Sequence, residues 1–152
     1  MRRRACYMLC DVTTEGADGM FSVTVCDHIL IAHSFRGAAF GPAQRVHGAT
    51  LAVEAEFRAA TLDESQLLID IALARTELRR VLDTLDYSNL DDNPAFAGLN
   101  TTIEFMAQHL HGHLAAACHD GRMGEHGRAL NGIKVLIRES PVAWAAFEGP
   151  IG

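Results

Sequence analysis

Leu51-Ala52-Val53-Glu54-Ala55-Glu56-Phe57-Arg58 alternates strictly. Leu51, Val53, Ala55 and Phe57 share one side, and Glu54, Glu56 and Arg58 share the other. Successive strand side chains point to opposite faces, so this is a strand with one buried face, spanning roughly 46–58. Further on, Ile71, Ala74, Leu78, Val81 and Leu85 recur at spacings of three and four, with Arg75, Glu77 and Arg79 between them. That is the stripe of an amphipathic helix. A period of two handing over to a period of 3.6 sets the class as α+β.

The same reading extends outward in both directions. From Met20 to about His33, Phe21, Val23, Val25, Ile29 and Ile31 alternate with Ser22, Thr24 and His28, a second half-buried strand. A loop carrying Arg36-Gly37 and Gly41-Pro42 separates the two strands. Asn89 to Asn100, with Pro94 and Gly98, reads as a loop. Thr101-Thr102-Ile103-Glu104 then opens a second helix, with Thr101 as cap and Glu104 three positions later completing a capping box. Its apolar face carries Ile103, Met106, Leu110 and Leu114, and Gly-rich sequence at 121–132 ends it. Ile133, Val135 and Ile137 alternate as a third strand, Ser140-Pro141 makes a turn, and Ala143–Phe147 forms a short fourth. The order ββααββ predicts a four-stranded antiparallel sheet with two helices on one face. Its other face and both edges are left unsatisfied, which predicts a homo-oligomer that pairs the edges.

A length of 152 residues suits one domain with one core. Residues 1–19, ending in Glu15-Gly16-Ala17-Asp18-Gly19, read as a loosely ordered extension, and 20–152 as the domain. A net charge of -6 opposes nucleic-acid binding. No apolar run approaches the ~20 residues that span a bilayer, so no membrane partner is expected. Met1-Arg2-Arg3-Arg4 has the charge of a signal-peptide start, but the apolar stretch Ala5–Cys10 is too short for its core. Cys6, Cys10, Cys26 and Cys118 form no disulfide framework, and the Cys6/Cys10 pair lacks a partner pair for a metal site. A reduced, cytoplasmic protein is expected, with Cys26 in a core strand and Cys118 at a helix end.

With the elements placed, a series of segments resembles the 6-pyruvoyl/6-carboxy-tetrahydropterin synthase family of the T-fold. Leu85-Asp86-Tyr87-Ser88-Asn89-Leu90-Asp91 resembles its Leu-Asp-His-x-x-Leu segment. Leu67-Leu68-Ile69-Asp70 is similar to its Met-Val-x-Asp entry into the first helix, and Thr101-Thr102-Ile103-Glu104 to its Pro-Thr-x-Glu start of the second. Val135-Leu136-Ile137-Arg138-Glu139 resembles the strand that ends in its pterin-anchoring glutamate. Ile31-Ala32-His33 and His47-Gly48-Ala49 sit where the family has Ala-Ala-His and His-Gly-His. The resemblance runs from Phe21 to Gly149. It implies a homohexamer, a dimer of trimers closed into a β-barrel, with active sites at subunit interfaces. It also implies a zinc ion and a lyase acting on the C6 side chain of a dihydropterin such as dihydroneopterin triphosphate.

Residue by residue, the resemblance thins at the chemistry. Catalytic zinc takes three protein ligands and leaves a position open. His33 and His47 match two of the family's three histidines, and the third position is Ala49, which offers no donor. His28 shares a strand with His33 and is a substitute ligand, but an offset of five turns it to the opposite face unless a bulge intervenes. The alternative for His33 and His47 is a hydrogen-bonded pair without metal. The family's cysteine base falls on Ala43 and its catalytic histidine on Tyr87, while Asp86 persists. Asp86 and Tyr87 are the catalytic candidates, with a helix-terminating loop as the alternative. Glu139 matches the ring anchor, and Thr101, Thr102 and Glu104 match the pterin-contacting helix start; a solvated strand end and a simple helix cap are the alternatives. His111-Gly112-His113 spells the metal tripeptide, but residues two apart diverge by about 200° on a helix, so these are surface histidines. Arg75, Arg79 and Arg80 read as a solvated helix face. Two readings follow: an enzyme with a rearranged acid–base set, or a catalytically silent pterin-binding or structural oligomer. A pocket turned to another heterocycle is the third.

Overall fold

The computed structural model describes residues 19–152. The expected 1–19 extension, Gly19 apart, and the Cys6/Cys10 pair lie outside the described residues.

The hairpin read from the sequence forms with β1 (Phe21–His33) antiparallel to β2 (His47–Ala59), in unbroken register from Phe21–Ala59 to His33–His47. β4 (Gly132–Ser140) pairs with β2, and β5 (Ala143–Gly149) with β4. The expected four strands are joined by a fifth: Ser88–Asn89, β3, runs parallel to β1 at Ile31 and Ala32, giving the order β3-β1-β2-β4-β5. β3 exists because the chain leaving the first helix is drawn onto β1 by the Tyr87 N–H, which donates to the Leu30 carbonyl at 2.7 Å.

α1 (Ile71–Leu82) is capped by Asp70, whose carboxylate accepts from the Ala72 and Leu73 N–H groups at 2.8 and 3.2 Å. α2 spans Ile103–His119. Its cap is Thr102 rather than the expected Thr101: Thr102 Oγ1 accepts from the Phe105 N–H at 3.3 Å, while Thr101 is buried and turned elsewhere. The glycine-rich stretch is not all loop either. Gly121 and Gly124, at φ 76° and 71°, reverse the chain into a short helix, α3 (Gly124–Arg128).

The odd-numbered strand residues face the helices. Val25, Ile29, Ile31, Leu51, Val53, Phe57, Ile133, Val135 and Ile137 meet Leu78 and Val81 of α1 and Met106, Leu110 and Leu114 of α2. Each large side chain so buried contributes roughly 1.5–3 kcal/mol. Cys118 is buried as expected, but Cys26 is exposed, because its even position in β1 puts it on the uncovered face. That face carries a polar lattice, with Arg138 bonded to Glu54 at 3.1 Å and lying 4.9 Å over the Trp144 ring. Within the chain the sheet is open, with β3 and β5 at its edges. No described helix is long and apolar enough to cross a membrane.

Candidate metal centre

The β1–β2 hairpin closes on the pair His33–His47, and both side chains point to the helix-covered face. At this end of the sheet the helices give way to the start of α2, which brings Thr101 against His33. His33 is 1% exposed. Its Nδ1 lies 3.2 Å from the Thr101 carbonyl oxygen and 3.1 Å from Thr101 Oγ1. A carbonyl can only accept, so Nδ1 carries the proton and Nε2 keeps its lone pair. That Nε2 is buried and has no hydrogen-bond partner, an omission that costs a folded protein roughly 1–3 kcal/mol. His47 is built the same way: its Nδ1 donates to the Arg45 carbonyl at 2.9 Å, and the two rings lie 4.6 Å apart. Carbonyls bonded to the far ring nitrogen in this way fix the tautomer and aim of metal-binding imidazoles. Burial first, then the neighbouring His47, lowers the His33 pKa below its usual value, against opposing contributions from Thr101, Glu139 and Asp91. The neutral, ligating form is thereby favoured.

Glu139 completes the cluster. It sits one residue beyond the last β2–β4 pair, Ala52–Arg138, where the β4–β5 register slips between Arg138 and Ser140. A bulge of this kind re-aims a side chain. Ligand atoms of His33, His47 and Glu139 all lie within 4.8 Å of one another, and this is the one such group of three or more among the described residues. Metal–ligand bonds of about 2.0–2.2 Å require the three to draw somewhat closer, which the half-buried His47 and the exposed Glu139 have room to do. Phe35 packs edge-on against His33 with centroids 4.7 Å apart, and Phe40 lies 5.0 Å from Phe35, forming an apolar rim. Sequence reasoning missed both phenylalanines. Their only signal is position, in a loop folded back by Gly37 (φ 117°) and Gly41 (φ 50°) and pinned by the Phe35 N–H to the Ala43 carbonyl at 3.0 Å.

The other candidates are not members of this group, although Thr101 bonds His33. His28 pairs across from Ala52 in a ladder without a bulge, its side chain 67% exposed. Five residues of strand, roughly 16 Å, separate it from His33. Asp86 is occupied: Oδ1 accepts from the Leu30 N–H at 2.9 Å and the Tyr87 N–H at 3.1 Å, and Oδ2 from Arg79 Nη2 at 2.8 Å. The Leu30 N–H, with Arg79 behind it, holds its carboxyl below the usual range. Tyr87 is 82% exposed at φ 54°, in the left-handed region. Thr101 orients His33, Thr102 caps α2, and Glu104 is exposed in its first turn.

Two sequence readings change here. His111 is buried, not on the surface, and its Nε2 lies 3.2 Å from the Gly149 carbonyl, so it ties α2 to the end of β5. The basic face of α1 is largely paired rather than solvated. Arg79 bridges Asp27, Asp83 and Asp86, and Arg80 meets Glu77 at 2.8 Å.

The sequence profile of the family described as 6-pyruvoyl tetrahydropterin synthase matches residues 22–150. Among solved structures, the fold is similar to that of 6-pyruvoyl tetrahydropterin synthase from Caenorhabditis elegans. The TM-score is 0.71 at 22% identity, covering 86% of this chain and 96% of that one. The Plasmodium vivax enzyme gives 0.72 at 14% identity, covering 88% and 99%. An uncharacterized protein from Wolinella succinogenes gives 0.59 at 15%, covering 84% and 97%. At these identities the structures speak to the fold alone. No curated protein sequence matches the chain significantly.

Proposed function

Because the chain belongs to the 6-pyruvoyl tetrahydropterin synthase family, we propose that it is a metal-dependent lyase of that kind with altered catalytic residues. Its substrate in this reading is a dihydropterin carrying an oxygenated C6 side chain, dihydroneopterin triphosphate or a relative. One observation carries the proposal: two imidazoles whose Nδ1 atoms face carbonyls, leaving Nε2 of His33 buried and unpartnered. The residues present suit a zinc ion, with His33 and His47 as nitrogen ligands. Bound there, zinc would polarise a side-chain oxygen of the substrate as a Lewis acid.

The chain's own residues prepare the site. The Thr101 carbonyl and hydroxyl lock His33, the Arg45 carbonyl locks His47, and Phe35 and Phe40 keep water from one side of the pair. Thr102 and Glu104 present the first turn of α2 to a ligand. Tyr87 offers an exposed phenol for proton transfer, its backbone N–H held by Asp86. The open sheet supports assembly as a homohexamer of two trimers closed into a barrel. The free thiols of Cys26 and Cys118 suit a reducing, cytoplasmic setting, with 20–152 as its single domain. At Glu139, resemblance and geometry part. The family's glutamate at this strand end holds the pterin ring, whereas here the carboxylate stands among the imidazole nitrogens.

A second reading, a catalytically silent pterin-binding oligomer, is favoured by Ala43 in place of the base and by an Asp86 carboxylate already occupied by Leu30, Tyr87 and Arg79. Metal analysis of the purified protein, followed by incubation with dihydroneopterin triphosphate and product identification by mass spectrometry, separates the two. Bound metal with loss of the side-chain triphosphate supports the enzyme. Pterin binding without turnover supports the silent oligomer, and binding of another heterocycle in preference to pterin supports a repurposed pocket.

A further inference from the structure

We infer that Glu139 is the third metal ligand of this site, taking the place of the imidazole missing at Ala49, and that Glu139 therefore does not anchor the pterin ring. The inference rests on the metal reading above and deepens it.

The sequence removes a donor at one position, and the fold supplies another from a different strand. Ala49 lies two positions beyond His47 in β2, on the same face, packed against the core with no donor atom to offer a metal. Glu139 enters from β4. The slip in register at Arg138/Ser140 frees it from the regular ladder. Its neighbouring cation, Arg138, is turned to the opposite face, toward Glu54 and the Trp144 ring, and so leaves the Glu139 charge to the helix-covered side. There the carboxylate meets two imidazoles with Nδ1 already engaged, one of them a nearly fully buried residue whose Nε2 has no other partner. The carboxylate lies within 4.8 Å of a ligand nitrogen of each, near enough for a small movement to close the three on one ion.

Two consequences separate this centre from a three-histidine one. A carboxylate oxygen is a harder donor than an imidazole nitrogen. A two-histidine, one-carboxylate set holds zinc and also suits ferrous iron and other ions that keep several open positions. A carboxylate committed to the metal also cannot accept the paired N–H donors of a 2-amino-4-oxo ring. Selection then passes to the oxygens of the substrate side chain, which can chelate at the open positions.

The test uses the full chain, stripped of metal and titrated calorimetrically with Zn2+ and Mn2+, and separately with neopterin. The variants are Glu139→Ala, Glu139→Gln and His33→Ala. Glu139→Gln keeps the size of an exposed side chain, so it reports on ligation should Glu139→Ala fail to fold. The expected result is one metal per wild-type chain, lost in His33→Ala. In both Glu139 variants metal affinity falls by about 100-fold or more, a loss at least as large as removing a ligand's hydrogen-bond partner produces, while neopterin affinity in the metal-free protein is unchanged. If the Glu139 variants bind metal like the wild type, the inference is overturned and the metal reading stands. Loss of neopterin binding with metal intact would return Glu139 to the ring-anchor role. Metal absent from the wild type, or retained in His33→Ala, overturns both.

Discussion

Two corners of the molecule hold polar side chains that the sequence marks for chemistry, and they are built in opposite ways. At the end of α1, the Asp86 carboxylate receives two backbone N–H groups and an arginine, and Arg79 in turn meets Asp27 and Asp83. Both oxygens of that carboxylate are already engaged. At the mouth of the β1–β2 hairpin, each imidazole is held by one nitrogen and offers the other, and a buried nitrogen has no partner. Native proteins satisfy nearly all buried polar groups, so an exception calls for an explanation, and a lone pair facing Glu139 and His47 is explained by a shared ion. The comparison teaches that a motif match names positions, whereas hydrogen-bond accounting says which of them are still available.

The comparison can be broken most directly by metal. Excess metal at 100-fold over its dissociation constant should stabilise the wild type by about 2.7 kcal/mol, read by chemical denaturation. His33→Ala and His47→Ala should abolish that gain, while Asp86→Asn should lower the melting temperature yet keep the gain in full. A loss of metal response in Asp86→Asn would falsify the division between the corners. The adjacent threonines sharpen it next. Thr101→Val removes the hydroxyl partner of His33 and should weaken metal binding roughly 10–100-fold, as loss of a group that orients a ligand does. Thr102→Ala removes only a helix cap and should cost about 1 kcal/mol of stability with metal affinity unchanged. The smallest effect is in pH. A lowered His33 pKa in the fold means the unfolded chain binds more protons, so metal-free stability is complete above 6.5, the usual imidazole value, and declines as pH falls toward the folded value. Denaturation at pH 7.5 and 5.5 should show the decline, to which His109, its pKa lowered by its own burial, also contributes, and His33→Asn should lessen it; an equal slope in the variant would remove His33 as a cause.

Much of the fold was legible because periodicity is local. The alternation at 51–58 and at 20–33 placed β2 and β1 within a residue or two, and the stripe through Ala74, Leu78 and Val81 placed α1. The failures share a cause. β3 has two residues and no pattern, and forms because Tyr87 and Asp86 bond to Leu30, more than fifty positions away. Cys26 reads as core by composition but sits in the wrong phase of its strand. The helix cap moved by one residue because His33, on another element, claims Thr101. His111 matched a surface position on the helix, and only the return of β5 beside α2 buried it.

The sequence by itself determined the order of the four long strands and two long helices, the apolar stripe of each, the family, and the candidacy of His33 and His47. All of these are carried by residue type at fixed spacing along the chain. Only the tertiary structure decided that Glu139 joins the two histidines, that His28 does not, and that Asp86 is already occupied. Those outcomes depend on strand register, on a bulge between Arg138 and Ser140, and on which hydrogen bonds close between distant segments. Register and closure are properties of packed elements, and a single strand's residue pattern leaves them open.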